Sequence, residues 1–231
     1  VAGSDATISN SVLNFNNATN LGGAIFVDGA NAHLDGDVFA NCSSDRLNGG
    51  AVYVKGVNTT ISNSNFTRNR VNIANFALGG SVYVAGSDAK LFNTSFEMCI
   101  AYNGAVLYLD GDDAVIDGST FMYSSAFDDG GAIYVAGNNA VISNSTFTLN
   151  NATQNGGAVY VAGNNANIDG TTFFKCSTIN MNGGAVYVAG LNTTISNSNF
   201  TKNSANGTNA RGGSLEIQGS GTKVLGTTFD Q

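Results

Sequence analysis

The sequence predicts an all-β chain wound as a single-stranded parallel β-helix, a solenoid of about eight coils of roughly 25–30 residues each, and three observations carry that reading. A Gly-Gly pair recurs at Gly22, Gly49, Gly79, Gly130, Gly156, Gly183 and Gly212, with Gly104-Ala105 completing the series, at spacings of 25 to 30 residues. A short period-2 apolar run follows each pair in fixed register, as in Ile133-Tyr134-Val135. No single repeat can bury its own apolar face, so neighbouring repeats must stack.

Each element of a coil follows in order. The first strand has two inward columns: Ile25, Val52, Val82, Leu107, Ile133, Val159, Val186 and Leu215, and two residues on, Val27, Val54, Val84, Leu109, Val135, Val161, Val188 and Ile217. Outward positions tolerate charge, with Asp28, Lys55, Asp110 and Gln218 where other coils have Ala, as strand alternation requires. The second strand supplies Leu34, Ile61, Leu91, Ile116, Ile142, Ile168, Ile195 and Val224. The third supplies Phe39, Phe66, Phe96, Phe121, Phe147, Phe173, Phe200 and Phe229, with Leu13 in a partial first coil. Three strands per coil predict a three-faced helix, on the order of 40 Å long at about 4.8 Å per coil. Corners between the second and third strands read Asp-Gly (Asp35, Asp117, Asp169) or Ser-Asn (Ser62, Ser143, Ser196), pairs that admit a left-handed residue at the second place. Length variation falls in one loop before the glycines, longest at 72–78 and 206–211, where individual coils can differ.

Composition narrows the function classes. Proline, which cannot donate to a ladder, is absent, as suits a chain of interior strands and tight corners. The 30 glycines would suit disorder, but 42% hydrophobic residues supply too much burial for it. Nine Lys and Arg against a net charge of -7 leave no basic patch to neutralise phosphates, which argues against nucleic acid as a partner. No apolar run approaches the roughly 20 residues of a membrane span, so this segment is expected not to insert directly. Val1-Ala2-Gly3 matches Val135-Ala136-Gly137, and residues 1–231 are expected to form one β-helix segment of a longer array, cut mid-coil at both ends.

Gly-Gly-Ala followed by Ile or Val (from Gly22, Gly49, Gly130, Gly156 and Gly183), paired with Phe-x-x-Asn (Phe66 to Asn69, Phe147 to Asn150, Phe200 to Asn203), resembles the repeats of chlamydial polymorphic outer-membrane proteins and of adhesin-like surface proteins in methanogenic archaea. The resemblance covers nearly the whole chain. It implies a right-handed β-helix, extracellular, displayed on a cell surface and used for adhesion.

The candidate chemistry is sparse. Cys42, Cys99 and Cys176 share a column with Asn16, Asn69, Ser124, Asn150 and Asn203. Cys42 and Cys99 are two coils apart, about 9.6 Å of rise, whereas a disulfide needs Cα atoms within roughly 7 Å. They read as buried free thiols within an internal ladder of stacked amides. His33 falls at a freely varying outward position, an ordinary surface residue. Asp110, Asp112 and Asp113 surround one turn, read as a solvated acidic turn in preference to a calcium site. Asp128 and Asp129 lie at the opposite end of the first strand. No acid, base and cation triad assembles on one face, so neither catalysis nor any cofactor or metal is expected.

The strongest candidate is an outward column of the first strand: Phe26, Tyr53, Tyr83, Tyr108, Tyr134, Tyr160 and Tyr187, ended by Glu216. Small neighbours such as Ala132, Ala136, Ala158 and Ala162 should leave the rings exposed. Such a stripe either stabilises the sheet through ring pairs or offers an amphipathic surface to cell-surface glycans, to proteins or to another rod. Sequons at Asn17, Asn41, Asn58, Asn65, Asn93, Asn144, Asn151, Asn192, Asn199 and Asn206 would carry glycans at exposed corners in an exported archaeal or eukaryotic protein. The sequence therefore reads as an adhesin-like or structural stalk that extends and presents. A fibre or sheath subunit associating end to end or side by side, and a polysaccharide lyase or hydrolase, are the alternatives.

Overall fold

The computed structural model describes residues 1–231 apart from the side chain of Asn75, and the chain winds as a right-handed parallel β-helix of about eight turns. Among the described residues four parallel sheets run along it, where three were expected. Face 1 runs from Ile25–Val27 to Leu215–Ile217, face 2 from Thr7–Ser9 to Lys223–Leu225, and face 3 from Val12–Asn14 to Thr228–Asp230. Face 4 consists of two-residue strands, from Asn17–Ala18 to Ser204–Ala205. Its inward position holds Ser44, Val71, Ala101, Ala126, Ala152 and Thr178, buried but chemically mixed. No aliphatic column announces it, and two residues are too few to show alternation.

Every strand pairs with its counterpart in the next coil without a shift: Ile133 lies opposite Val159, Tyr134 opposite Tyr160 and Val135 opposite Val161. A residue type repeated each coil therefore becomes a column. The aliphatic columns of faces 1 and 2 fill the interior with the phenylalanines of face 3, which are fully buried from Phe39 to Phe200. Successive rings from Phe39 to Phe200 stack at centroid distances of 4.5 to 5.1 Å. Burying each ring stabilises by about 2–3 kcal/mol and stacking adds about 0.5–1.5 kcal/mol, so this column outweighs any surface ladder.

The corner between faces 2 and 3 explains the alternation in the sequence. Asn63, Asn93, Asn144 and Asn197 share it with Gly36, Gly118 and Gly170, all with φ between +47° and +67°. A Cβ on Gly118 would sit 2.7 Å from Oδ1 of Asn93 in the preceding coil, so glycine leaves room for that carboxamide where it lies, although Asn63 and Asn93 also stand in adjacent coils without a glycine between them. In the other direction Ser143 Oγ and Asn144 Nδ2 each donate to Asp117 Oδ1 at 2.7 Å. Asp35 and Asp169 accept the same pair of donors from the coil that follows. Asp-Gly and Ser-Asn are two halves of one interaction.

The corner between faces 3 and 4 is built differently. Phe15, Asn41, Arg68, Met98, Tyr123, Leu149, Lys175 and Lys202 all have φ between +52° and +55°. Only Asn41 adopts that conformation readily, and each of the others costs about 1 kcal/mol. From Cys42 to Asn203 the residue after each one is buried, and its side chain lies inside the turn. Asn150 Oδ1 accepts from Ser124 N at 3.1 Å while its Nδ2 donates to Phe121 O at 2.9 Å, closing the turn of the preceding coil. Asn69 and Asn203 act identically. The internal amides thus bond to backbone and not to one another, because Cys or Ser separates every two asparagines in that column. An amide-to-amide ladder does form, but outside, between faces 1 and 2: Asn58 to Asn31 at 2.9 Å and Asn165 to Asn139 at 3.1 Å.

Candidate functional site

The aromatic column stands on face 1. From Phe26 to Tyr187 each ring stacks on the next, with centroids 4.7 to 5.3 Å apart and planes within 14°. Glu216, in register opposite Tyr187, ends the stack. The expectation of exposed rings is corrected. Tyr83 and Tyr187 are only 7% exposed and the other five rings are half-buried. At a spacing of one coil each ring covers its neighbour's face, so solvent reaches only edges and hydroxyls. Ala132 and Ala158, expected beside the rings on the surface, are themselves fully buried.

Burial pushes the phenols of Tyr83, Tyr108 and Tyr160 upward and that of Tyr134 up to about 12, so they remain neutral hydroxyls at ordinary pH. Tyr83 Oη donates to Asp110 Oδ2 at 2.9 Å, on the side of the stripe facing the corner of faces 1 and 2. On the other side, Asp128 and Asp129 lie close enough to Tyr134 and Tyr160 to add to their upward shift. Asp129 Oδ1 accepts from Asn155 N at 2.9 Å and from its Nδ2 at 3.0 Å, yet burial outweighs these bonds and raises the carboxyl to about 6. Asp128 is raised by burial as well. The strip is a row of neutral hydroxyls with carboxylates on both flanks.

The other candidates resolve individually. Asp112 Oδ1 accepts from Asn138 N at 2.6 Å and Asp113 Oδ1 from Asn139 Nδ2 at 3.0 Å, so these two carboxylates are engaged by the next coil, while Asp110 is engaged by Tyr83 of the preceding one. Among the described residues no group of three or more His, Cys, Asp or Glu side chains could hold a metal ion. His33 is exposed on face 2. The cysteines are free and buried, and burial pushes Cys99 up to about 11 and Cys176 to about 12. The sequons lie off face 1, with Asn17, Asn65 and Asn199 exposed on other faces and Asn41 and Asn151 half-buried. Both long loops line grooves, one of about 370 Å³ beside Arg70, Ile73 and Ile100 and one of about 530 Å³ beside Met181 and Arg211.

Two features escaped the sequence reading. Asp37 is fully buried in a column otherwise made of Ser and Thr; its Oδ1 accepts from Ser11 N at 2.8 Å, its Oδ2 has no partner, and burial raises its pKa. One acid in a hydroxyl column was the available signal. The second is the set of bulky side chains standing out from the corner of faces 3 and 4, which left-handed backbone alone would not select.

The sequence matches the family model described as right-handed beta helix region over residues 1–173 and 80–222, and no curated protein matches it. With four parallel sheets wound in unshifted register beneath these columns, the chain belongs to the right-handed β-helix family.

Proposed function

We propose that the chain is an extended, non-catalytic rod of an adhesin-like protein displayed outside the cell, with the tyrosine edge of face 1 as its contact strip for cell-surface glycans or proteins. The observation that carries this reading is the repeat of one aromatic edge at the same position on seven successive coils, 4.7 to 5.3 Å apart. That spacing is comparable to the step between sugar rings in an extended polysaccharide. A glycan lying along the rod would meet hydroxyls and ring edges in step, with Asp110 and Asp128 as flanking acceptors; stacking on ring faces is closed to it.

A second reading, polysaccharide cleavage, is favoured by Asp129, whose carboxyl near pH 6 suits a general acid beside Asp128. One experiment separates the two. The chain is incubated with insoluble polysaccharides and with intact cells, and retention and soluble sugar are scored beside a Tyr134→Phe/Tyr160→Phe/Tyr187→Phe variant that keeps the stack and removes three hydroxyls. Retention weakened at least several-fold in the variant, with no sugar released, supports the contact strip. Sugar release abolished by Asp129→Asn would replace it with the enzyme reading.

A further inference from the structure

The exposed apolar side chains of the rod lie away from the tyrosines. Met98, Tyr123 and Leu149 occupy successive coils at the corner of faces 3 and 4, exposed by 38%, 50% and 40%. Their alignment is fixed by backbone bonds from Met98 N to Met122 O at 3.1 Å and from Tyr123 N to Thr148 O at 3.1 Å. All three are held in left-handed backbone, where Asn or Gly would be easier and where exposure returns little burial in compensation. The same column carries Arg68 before them and Lys175 and Lys202 after them, all exposed, with Glu97 the acid beside Met98. The result is an apolar strip with basic ends on a chain of net charge -7.

The order of faces puts a complementary surface on the other side. The corner of faces 1 and 2 is diagonally opposite, and it carries Asp5, Asp28, Asp88, Asp110, Asp112 and Asp113, with Lys55 paired to Asp28 at 2.7 Å. We propose that the strip of Arg68, Met98, Tyr123, Leu149, Lys175 and Lys202 docks a second copy of this chain through that copy's acidic corner, so that rods pack side by side. Charge complementarity selects this occupant: the basic ends meet carboxylates, while like corners would repel. Because the two surfaces lie on opposite corners of one rod, the contact does not close on itself and propagates into a layer. This inference does not depend on the tyrosine strip.

Sedimentation velocity across a hundredfold concentration range, in about 20 mM and about 500 mM salt, reads the association. The wild-type mass should rise with concentration and fall at high salt. Met98→Asn/Tyr123→Asn/Leu149→Asn should remain monomeric at every concentration while melting no lower than wild type, since Asn suits the left-handed turn; a merely structural strip would lose stability instead. Lys175→Glu/Lys202→Glu should also be monomeric, and mixing it with an Asp88→Lys/Asp113→Lys chain should restore a complex. A wild-type chain that stays monomeric throughout, or association unaffected by the triple variant, overturns the proposal. A monomeric chain that instead binds polygalacturonate through this corner overturns it in favour of an anionic-polymer site.

Discussion

Asn144 donates its side-chain amide to the carboxylate of Asp117 in the preceding coil across 2.7 Å, and Ser143 donates its hydroxyl to the same oxygen. These donors, repeated at Asp35 and Asp169, hold the three carboxyls below the usual range. A lowered folded pKa gives stability that is present above the unfolded value of about 3.9 and lost as pH falls below it. Asp129 works the other way. Raised to about 6 by burial, it binds protons in the folded state between about pH 4 and 6, so stability falls as pH rises through that window. Melting temperature should therefore peak near pH 4, and Asp129→Asn should reduce the slope between pH 4 and 6 while leaving the acid limb intact. A flat profile from pH 4 to 7 in the wild type would contradict this assignment.

Asn150→Ala should destabilise by about 2–5 kcal/mol, because it strands the buried Phe121 carbonyl and Ser124 amide that one side chain satisfies together. Asn150→Ser should cost less, since Ser124 already accepts from Cys99 N in the same column. Urea titration of both variants measures the order; equal losses would show that the carboxamide's second bond does nothing.

Gly137→Ala should cost about 3 kcal/mol or more. A Cβ there would lie 2.1 Å from the Gly111 carbonyl oxygen and 3.1 Å from the Asp110 carbonyl oxygen, and these backbone atoms of the preceding coil are not free to yield as a flexible side chain would be. Thermal melting tests it, with Ala136→Gly as the neighbouring control expected to change little.

The three thiols should resist a charged disulfide reagent at pH 8 in the folded chain and react with three equivalents on unfolding, since burial raises Cys42, Cys99 and Cys176 alike. Rapid labelling of any one of them before unfolding would show that its coil opens locally.

The fold was legible wherever one residue type recurs at every turn. Phe39 to Phe229, the Leu34 to Val224 column and the aliphatic pairs flanking Tyr53 to Tyr187 identify three of the four faces, because unshifted register makes a repeated residue a buried column. Face 4 was not legible: Val71, Ala101 and Thr178 share a position that only the neighbouring coils define. The pairing of Asp117 with Asn144 spans 27 residues, so each half reads as an isolated turn until the coils are stacked. The tyrosine column was found by position but its exposure was misjudged, since alternation gives the direction of a side chain and not how far its neighbours cover it. The left-handed backbone at Met98 and Leu149 gave no sign, because those residues are not turn formers.

The interstrand hydrogen bonds of all four faces run along the rod, whereas the covalent chain circles it. Tension applied along the long axis would load those bonds one coil after another, as in peeling, and each coil that gives way would release about 26 residues, or about 90 Å of slack at about 3.5 Å per residue. A pull across the axis meets whole sheets in shear. A rod of this design held at both ends would lengthen stepwise under load, dissipating force as a shock absorber does.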